Sequence, residues 1–310
     1  MTKMLENEIE GLKKLVLQSG FPLEIEVSSF LAKQCNLISE DFEVTMSDYY
    51  LDKDLNKGRE LDIKVDIPIE SPKTSSTIFL DLLIQCKNLP GNAWVFSKAP
   101  QRVVPACRST SILDLLDWRP RWHVVFSGQK DLHYKQIELT KAYHEFVLDK
   151  KGSNKKDDNL FETVISLAKA TSYELGMALR EFREELEDLS EEELKKYQPD
   201  QVKIFYPLAI FNGKMYLAEE VEKGMDMKLT PIDHIGLLFN YVSGSYDIEL
   251  VIDILHKKAL ERFFKSIVSD ANVLREALGD KRGAQYREEV TKALRWYMSK
   301  EKSSDSSVEL

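Results

Sequence analysis

Two stretches decide how this chain folds: ELDIKVDI over residues 60–67 and FLDLLIQCK over residues 79–87. In an extended chain every second side chain shares a face. Leu61, Ile63, Val65 and Ile67 therefore make one apolar face of the first stretch, with Glu60, Asp62, Lys64 and Asp66 opposite. In the second stretch Leu80, Leu82, Ile84 and Cys86 make the apolar face, and Asp81, Leu83, Gln85 and Lys87 lie opposite. The Ser/Pro-rich segment around Ser71-Pro72 joins the two strands as a turn. If both apolar faces cover one core, Asp62, Gln85 and Lys87 project together on the other side.

Working outward, Met4, Leu5, Ile9, Leu12, Leu15 and Val16 recur at helical spacing until Gly20 stops them. A second helix opens at Phe21-Pro22, where proline suits the first turn, and ends near Asn36. Its buried stripe is Leu23, Val27, Phe30 and Leu31. Phe42–Met46 alternates as a strand, and Asp52–Gly58 is a polar turn. Beyond Lys87, Trp122–Ser127 reads as a short buried strand and Tyr134–Leu148 as a helix. The run KKGSNKKDDN, residues 150–159, holds no apolar residue and reads as a linker.

After the linker, Leu160–Leu189 is a long amphipathic helix with an acidic, solvated face. Ser190 and Glu193 form a capping box. Asn212-Gly213 between Val202–Phe211 and Met215–Ala218 signals a hairpin. Ile235–Val242 and Asp247–Leu255 are further strands. A helix from Lys258 to Gly279, broken near Ser269-Asp270, and a last helix, Ala284–Met298, complete the chain. The organisation expected is a first domain over 1–150, a linker over 151–159, an α+β region over 160–302 and a disordered tail over 303–310.

Composition narrows the class. The chain has 310 residues, of which 43% are hydrophobic and 31% charged, which excludes wholly disordered and collagen-like chains. No apolar run is long enough to span a bilayer, and Glu6 interrupts the N-terminus before any leader-like core forms. The three cysteines, Cys35, Cys86 and Cys107, make no CxxC pair, so reduced thiols and a cytoplasmic location are expected. Phosphate-loop, dinucleotide, HExxH and nucleophile-elbow motifs are all absent. The five histidines have no metal-ligand spacing with cysteine. Net charge is −9, yet residues 81–156 alone carry 13 bases against 7 acids. One basic segment inside an acidic protein fits a local site for a polyanion.

A carboxylate, an amide oxygen and an ammonium on one face suit phosphodiester hydrolysis. Asp62 and neighbouring oxygens, including the Cys86 backbone carbonyl and Gln85, are candidate ligands for a hard divalent ion such as Mg2+, with Mn2+ an alternative. Lys87 is placed to orient a water and to offset charge developing on the phosphate.

This arrangement of Asp62, a hairpin and then Gln85-Cys86-Lys87 resembles the PD-(D/E)xK phosphodiesterase superfamily, in the QxK variant of its Mrr-type members. Gly20-Phe21-Pro22-Leu23-Glu24-Ile25-Glu26-Val27 is similar to the first core helix of that family, and Glu24 matches its metal-site glutamate. The resemblance covers about residues 22–150. It implies an α/β fold with a restriction-endonuclease-like three-layer core, helix–strand–strand–strand–helix–strand around a mixed sheet. Two departures stand out: Gln85 takes the place of the commoner acid, and Leu61 precedes Asp62 where proline is usual. Glu60, on the face of Asp62, is the residue that restores the missing charge.

The resemblance implies a metal-dependent endonuclease, acting on DNA rather than RNA in a restriction or defence role. Asp62, Gln85, Lys87, Glu24 and Glu60 are the candidate catalytic residues, with Asp62, Gln85, Glu24 and the Cys86 carbonyl as metal ligands. Lys98, Arg102, Arg108, Arg119, Arg121, Gln129, Lys130 and Lys135 are the candidate nucleic-acid contacts, interleaved with Trp94, Trp118 and Trp122. The rival reading is a catalytically inactive relative that binds nucleic acid or a partner protein. A homodimer or a protein partner through the C-terminal half is compatible with either, as is a purely structural subunit of a larger complex.

Overall fold

A computed structural model of the chain describes residues 2–70, 77–98, 111–112, 137–147, 159–187, 189–190, 192–193, 201–222 and 226–278. Helix α1 (Thr2–Gln18) leads through Gly20 into α2 (Phe21–Cys35), whose Pro22 sits in the first turn. Three strands follow as an antiparallel meander: β1 (Glu43–Asp52), β2 (Lys57–Glu70) and β3 (Thr77–Lys87). Helix α3 (Asn159–Glu187) then crosses one face of the sheet, and β8 (Gln201–Phe211) returns parallel to β3 over its whole length, from Thr77↔Gln201 to Lys87↔Phe211.

The sheet continues through β12 (Asp247–His256), parallel to β8, and β11 (His234–Val242), antiparallel to β12. Short β6 (Leu139–Thr140) ends that side of the sheet, and β5 (Ser111–Ile112) pairs with the first half of β8. Pro207 lies in β8 where its outer edge changes partner, between Phe205, the last residue facing β5, and Leu208, the first facing β12. A residue without an N–H is tolerated there because no ladder bond is required. A second sheet, in the order β10-β9-β4-β7, contains β4 (Asn92–Ser97), β7 (Tyr143–Val147), β9 (Lys214–Glu222) and β10 (Asp226–Pro231).

Two cores enclose the large sheet. On one face α2 and α4 (Leu260–Leu278) bury Leu23, Val27, Leu31, Phe263 and Ile267 against Ile63, Val65, Leu82 and Ile84. On the other, α3 and strands of the second sheet bury Leu160, Val164 and Leu167 with Leu83, Trp94 and Phe211. The result is an α/β architecture with a mixed sheet between covered faces. Among the described residues no helix is long and apolar enough to cross a membrane.

Several expectations change. Residues 143–147, expected to be helical, form β7 because they pair with β4 from Asn92↔Val147 to Phe96↔Tyr143. The stretch around Asn212-Gly213 makes no hairpin: β8 joins the large sheet and β9 the small one, where it pairs with β4 in parallel. Gly213 is required by proximity, since a Cβ there would enter the Phe211 ring and lie 2.6 Å from the Leu89 carbonyl oxygen. Helix α4 runs unbroken through Ser269-Asp270, held by buried Ile267 and Ala271. The boundary at 151–159 separates no two sheets, because β3 is buried on both faces and takes β8 as its second neighbour.

The Ser190–Glu193 capping box is present: the Ser190 N–H donates to Glu193 Oε2 at 2.9 Å, and the Glu193 N–H to Ser190 Oγ at 3.3 Å. The Ser71-Pro72 turn, the strand at Trp122–Ser127, residues 151–158, the helix at Ala284–Met298 and the tail at 303–310 lie outside the described residues.

Candidate functional site

The β2–β3 ladder runs from Glu70↔Thr77 only as far as Ile63↔Ile84. Past that point side chains carry the contacts between the strands. The Cys86 N–H donates to Asp62 Oδ2 at 2.7 Å, and Gln85 Nε2 donates to the Glu60 carbonyl at 3.1 Å. On its other edge β2 pairs with β1 at Met46↔Ile63 and Asp48↔Leu61, skipping Ser47 opposite Asp62. Ser47 has φ 56°, in the left-handed region that a serine seldom adopts.

At this irregularity β2 turns over. Ile63, Val65 and Ile67 face the α2/α4 core, but Leu61 is buried in the core beneath α3. The expected grouping of Leu61 with Ile63, Val65 and Ile67 therefore fails, while Leu80, Leu82, Ile84 and Cys86 keep theirs. The break in alternation falls at Asp62 itself.

Glu24 comes to the same place from the first turn of α2. A Cβ at Gly20 would lie 2.9 Å from Glu24 Oε1 and 4.0 Å from the Cys86 carbonyl oxygen, so Gly20 leaves room for the carboxylate beside that carbonyl. Burial first, then the charges of Asp62 and Glu60, raise the Glu24 carboxyl above its ordinary range, and Lys87 lowers it. Burial likewise raises Asp62, against the lowering effects of the Cys86 N–H and Lys87. The Cys86 thiol is pushed up by burial and then by Asp62 and Glu24. Glu24, Glu60, Asp62 and Lys87 thus share one electrostatic neighbourhood, and Lys87 has no ion-pair partner among the described residues.

Asp62 Oδ1 has no hydrogen-bond partner among the described residues. Together with Glu24 and the Cys86 carbonyl, it offers hard oxygen donors in a place where carboxylates repel one another. Among the described residues no three His, Cys, Asp or Glu side chains stand ready to hold one ion. Two carboxylates and a carbonyl are donors that an ion keeping several of its own waters, such as magnesium, could use. Gln85 is buried, with its amide nitrogen committed to the Glu60 backbone.

The basic segment is described only in part. Lys98 is ion-paired with Glu219 at 2.8 Å. Trp94 is fully buried and stacked on Phe211, centroids 3.7 Å apart and 3° from parallel, so it presents no face to a base. Arg102, Arg108, Arg119, Arg121, Gln129, Lys130 and Lys135, with Trp118 and Trp122, lie outside the described residues.

Two polar constellations escaped sequence reasoning. Lys169, buried on α3, bonds both oxygens of Asp52 at 2.9 and 3.0 Å and Asp54 Oδ2 at 2.8 Å, with its Nζ 5.3 Å from the centroids of both Tyr241 and Tyr246. Asp66 and Asp81 stand directly opposite each other on β2 and β3. The second was legible as an acid in each strand, fifteen residues apart across the turn; the first joins residues 117 positions apart and left no local signal. No family model, curated protein or solved structure matches the chain.

Proposed function

We propose that the chain is a metal-dependent nuclease of the restriction-endonuclease-like PD-(D/E)xK type, hydrolysing phosphodiester bonds of DNA in a restriction or defence setting. The observation that carries this reading is the convergence of Glu24, Glu60, Asp62 and Lys87 where β2 and β3 part. The element order supports it too: α2, β1, β2, β3, α3 and β8 follow as helix–strand–strand–strand–helix–strand, the sixth element coming from beyond the expected linker.

In this reading Asp62 and Glu24, with the Cys86 carbonyl, would hold the ion. Bound magnesium supplies a bound water of lowered pKa and neutralises phosphate charge. Lys87 orients the attacking water and meets the charge that develops on the phosphorus oxygens. The Cys86 N–H fixes the Asp62 carboxylate through Oδ2, which would leave Oδ1 as the oxygen able to hold an ion. Gln85 holds the two strands at their separation through the Glu60 carbonyl.

The test is cleavage of linear and circular DNA, and of RNA, by the full chain with Mg2+ or Mn2+. Lys87→Ala is expected to lose cleavage by about a hundredfold or more with an unchanged unfolding curve. Undiminished cleavage by Lys87→Ala removes the assignment. A second reading, an inactive relative that binds nucleic acid, is favoured by the commitment of Gln85 to the backbone. It is distinguished by nucleic-acid binding that needs no divalent ion and by the absence of cleavage under every condition.

A further inference from the structure

Helix α1 stands apart from both cores. Its sequence has heptad spacing: Ile9 and Val16 take a positions and Leu12 the d position between them, with Leu5 one heptad before Leu12. Ile9, Leu12, Leu15 and Val16 fall on one side of the helix. Among the described residues none of α1 belongs to either buried cluster. Every side chain from Glu8 to Leu17 is exposed, Ile9 by 57% and Leu12 by 62%. A helix of this length is marginal in water by itself and draws most of its stability from packing its apolar face. Gly11, near its middle and with open space around it, weakens the helix further.

The charges on α1 say what covers that face. When two such helices pair in parallel, a and d residues meet across the axis, and each g residue meets the following e residue of the other helix. Glu8 is a g residue and Lys13 the following e residue, so both rim pairs join opposite charges. Glu10 and Lys14 lie on the outward side, four residues apart in the favoured order. Branched residues at a with leucine at d are the pattern of two parallel strands. A two-fold contact demands a surface complementary to itself, and this one is.

We propose that a second copy of the chain covers this face, the two α1 helices pairing as a short parallel two-stranded coil. A membrane surface fits less well, because three lysines in α1 are balanced by three glutamates and no basic excess draws the helix to anionic lipid. The C-terminal end of α1 is anchored beside the candidate site: Asn88, next to Lys87, donates from Nδ2 to the Ser19 carbonyl at 2.9 Å. One dimer would thus carry two such sites. The proposal stands without the nuclease reading, since its test reads mass in solution and not cleavage.

The experiment is sedimentation equilibrium of the full chain from about 1 to 100 µM, at low salt where rim charges act most strongly. Flotation with phosphatidylserine vesicles runs beside it. The unaltered chain is expected to dimerise within this range. Leu12→Glu weakens the dimer about tenfold or more, and Glu8→Lys and Lys13→Glu each weaken it several-fold. An equimolar mixture of the Glu8→Lys and Lys13→Glu chains dimerises again, because every rim pair is then attractive. All three positions lie outside the cores, so the unfolding curves stay unchanged and loss of fold is told apart from loss of pairing. A chain that stays monomeric overturns the proposal, including one that binds the vesicles in place of its own copy. A dimer indifferent to Leu12→Glu, or a mixture that fails to recover, overturns it equally.

Discussion

Replacing Lys169 by methionine tests whether the clamp between α3 and two hairpin tips holds the sheet together. Lys169 Nζ bonds Asp52 through both oxygens and Asp54 through one. Asp54 also accepts from Tyr241 and Ser243, each at 2.7 Å, and the Lys53 N–H donates to the Tyr246 hydroxyl at 2.8 Å. The tip of β1–β2 is thereby tied to the tip of β11–β12 across the α3 face. Methionine keeps the stem and removes the charge, leaving Asp52, only 2% exposed, without its main partner. Stranding one member of a buried pair costs about 3–5 kcal/mol. Arg59 Nε, 3.7 Å from Asp52 Oδ2, offsets part of this, so the lower end, about 3 kcal/mol, is expected. In urea unfolding at neutral pH, with a slope of about 3 kcal/mol/M, the midpoint falls by about 1 M. Adding Asp52→Asn to the variant restores part of the loss, because no charge is then left stranded. A midpoint shift below about 0.3 M for Lys169→Met is the size of an exposed pair and refutes the reasoning.

Gly213→Ala is expected to cost about 1–3 kcal/mol, since its Cβ meets the Leu89 carbonyl, which cannot swing aside; chemical denaturation measures this, and an unchanged midpoint contradicts the contact. Burial, then the charge of Asp66, raises the Asp81 carboxyl, and this gives a pH signature. The folded state retains a proton that the unfolded chain releases near pH 4, so stability is lost as pH rises through the Asp81 titration. Asp81→Asn has no such proton to lose, so the unfolding midpoint of the unaltered chain is expected to fall relative to that of the variant between pH 5 and pH 8. Parallel pH profiles for the two proteins contradict this assignment.

The elements that local pattern could specify were legible in the residues. Alternation gave β2, β3, β11 and β12, and 3.6-residue periodicity gave α1, α2 and α3. Tertiary pairing decided the misread segments. Residues 143–147 are a strand because β4 lies beside them, and Asn212-Gly213 passes between sheets because β9 finds β4 rather than β8. At the candidate site, the spacing of Asp62, Gln85 and Lys87 placed the residues at the end of one hairpin. It did not disclose the turn-over at Ser47 and Asp62, which depends on a backbone angle. Nor did it disclose that Gln85 is bound to the Glu60 carbonyl, a contact made only after the ladder has ended.

The long parallel pairing of β3 with β8 has a consequence for synthesis of the chain. When Lys87 has left the ribosome, one edge of β3 is a bare row of amide groups flanked by apolar side chains on both faces. It waits until Phe211 emerges, roughly 6–25 s later at ordinary elongation rates, before its native neighbour exists. A nascent chain paused in that interval offers a template for pairing with another copy of itself.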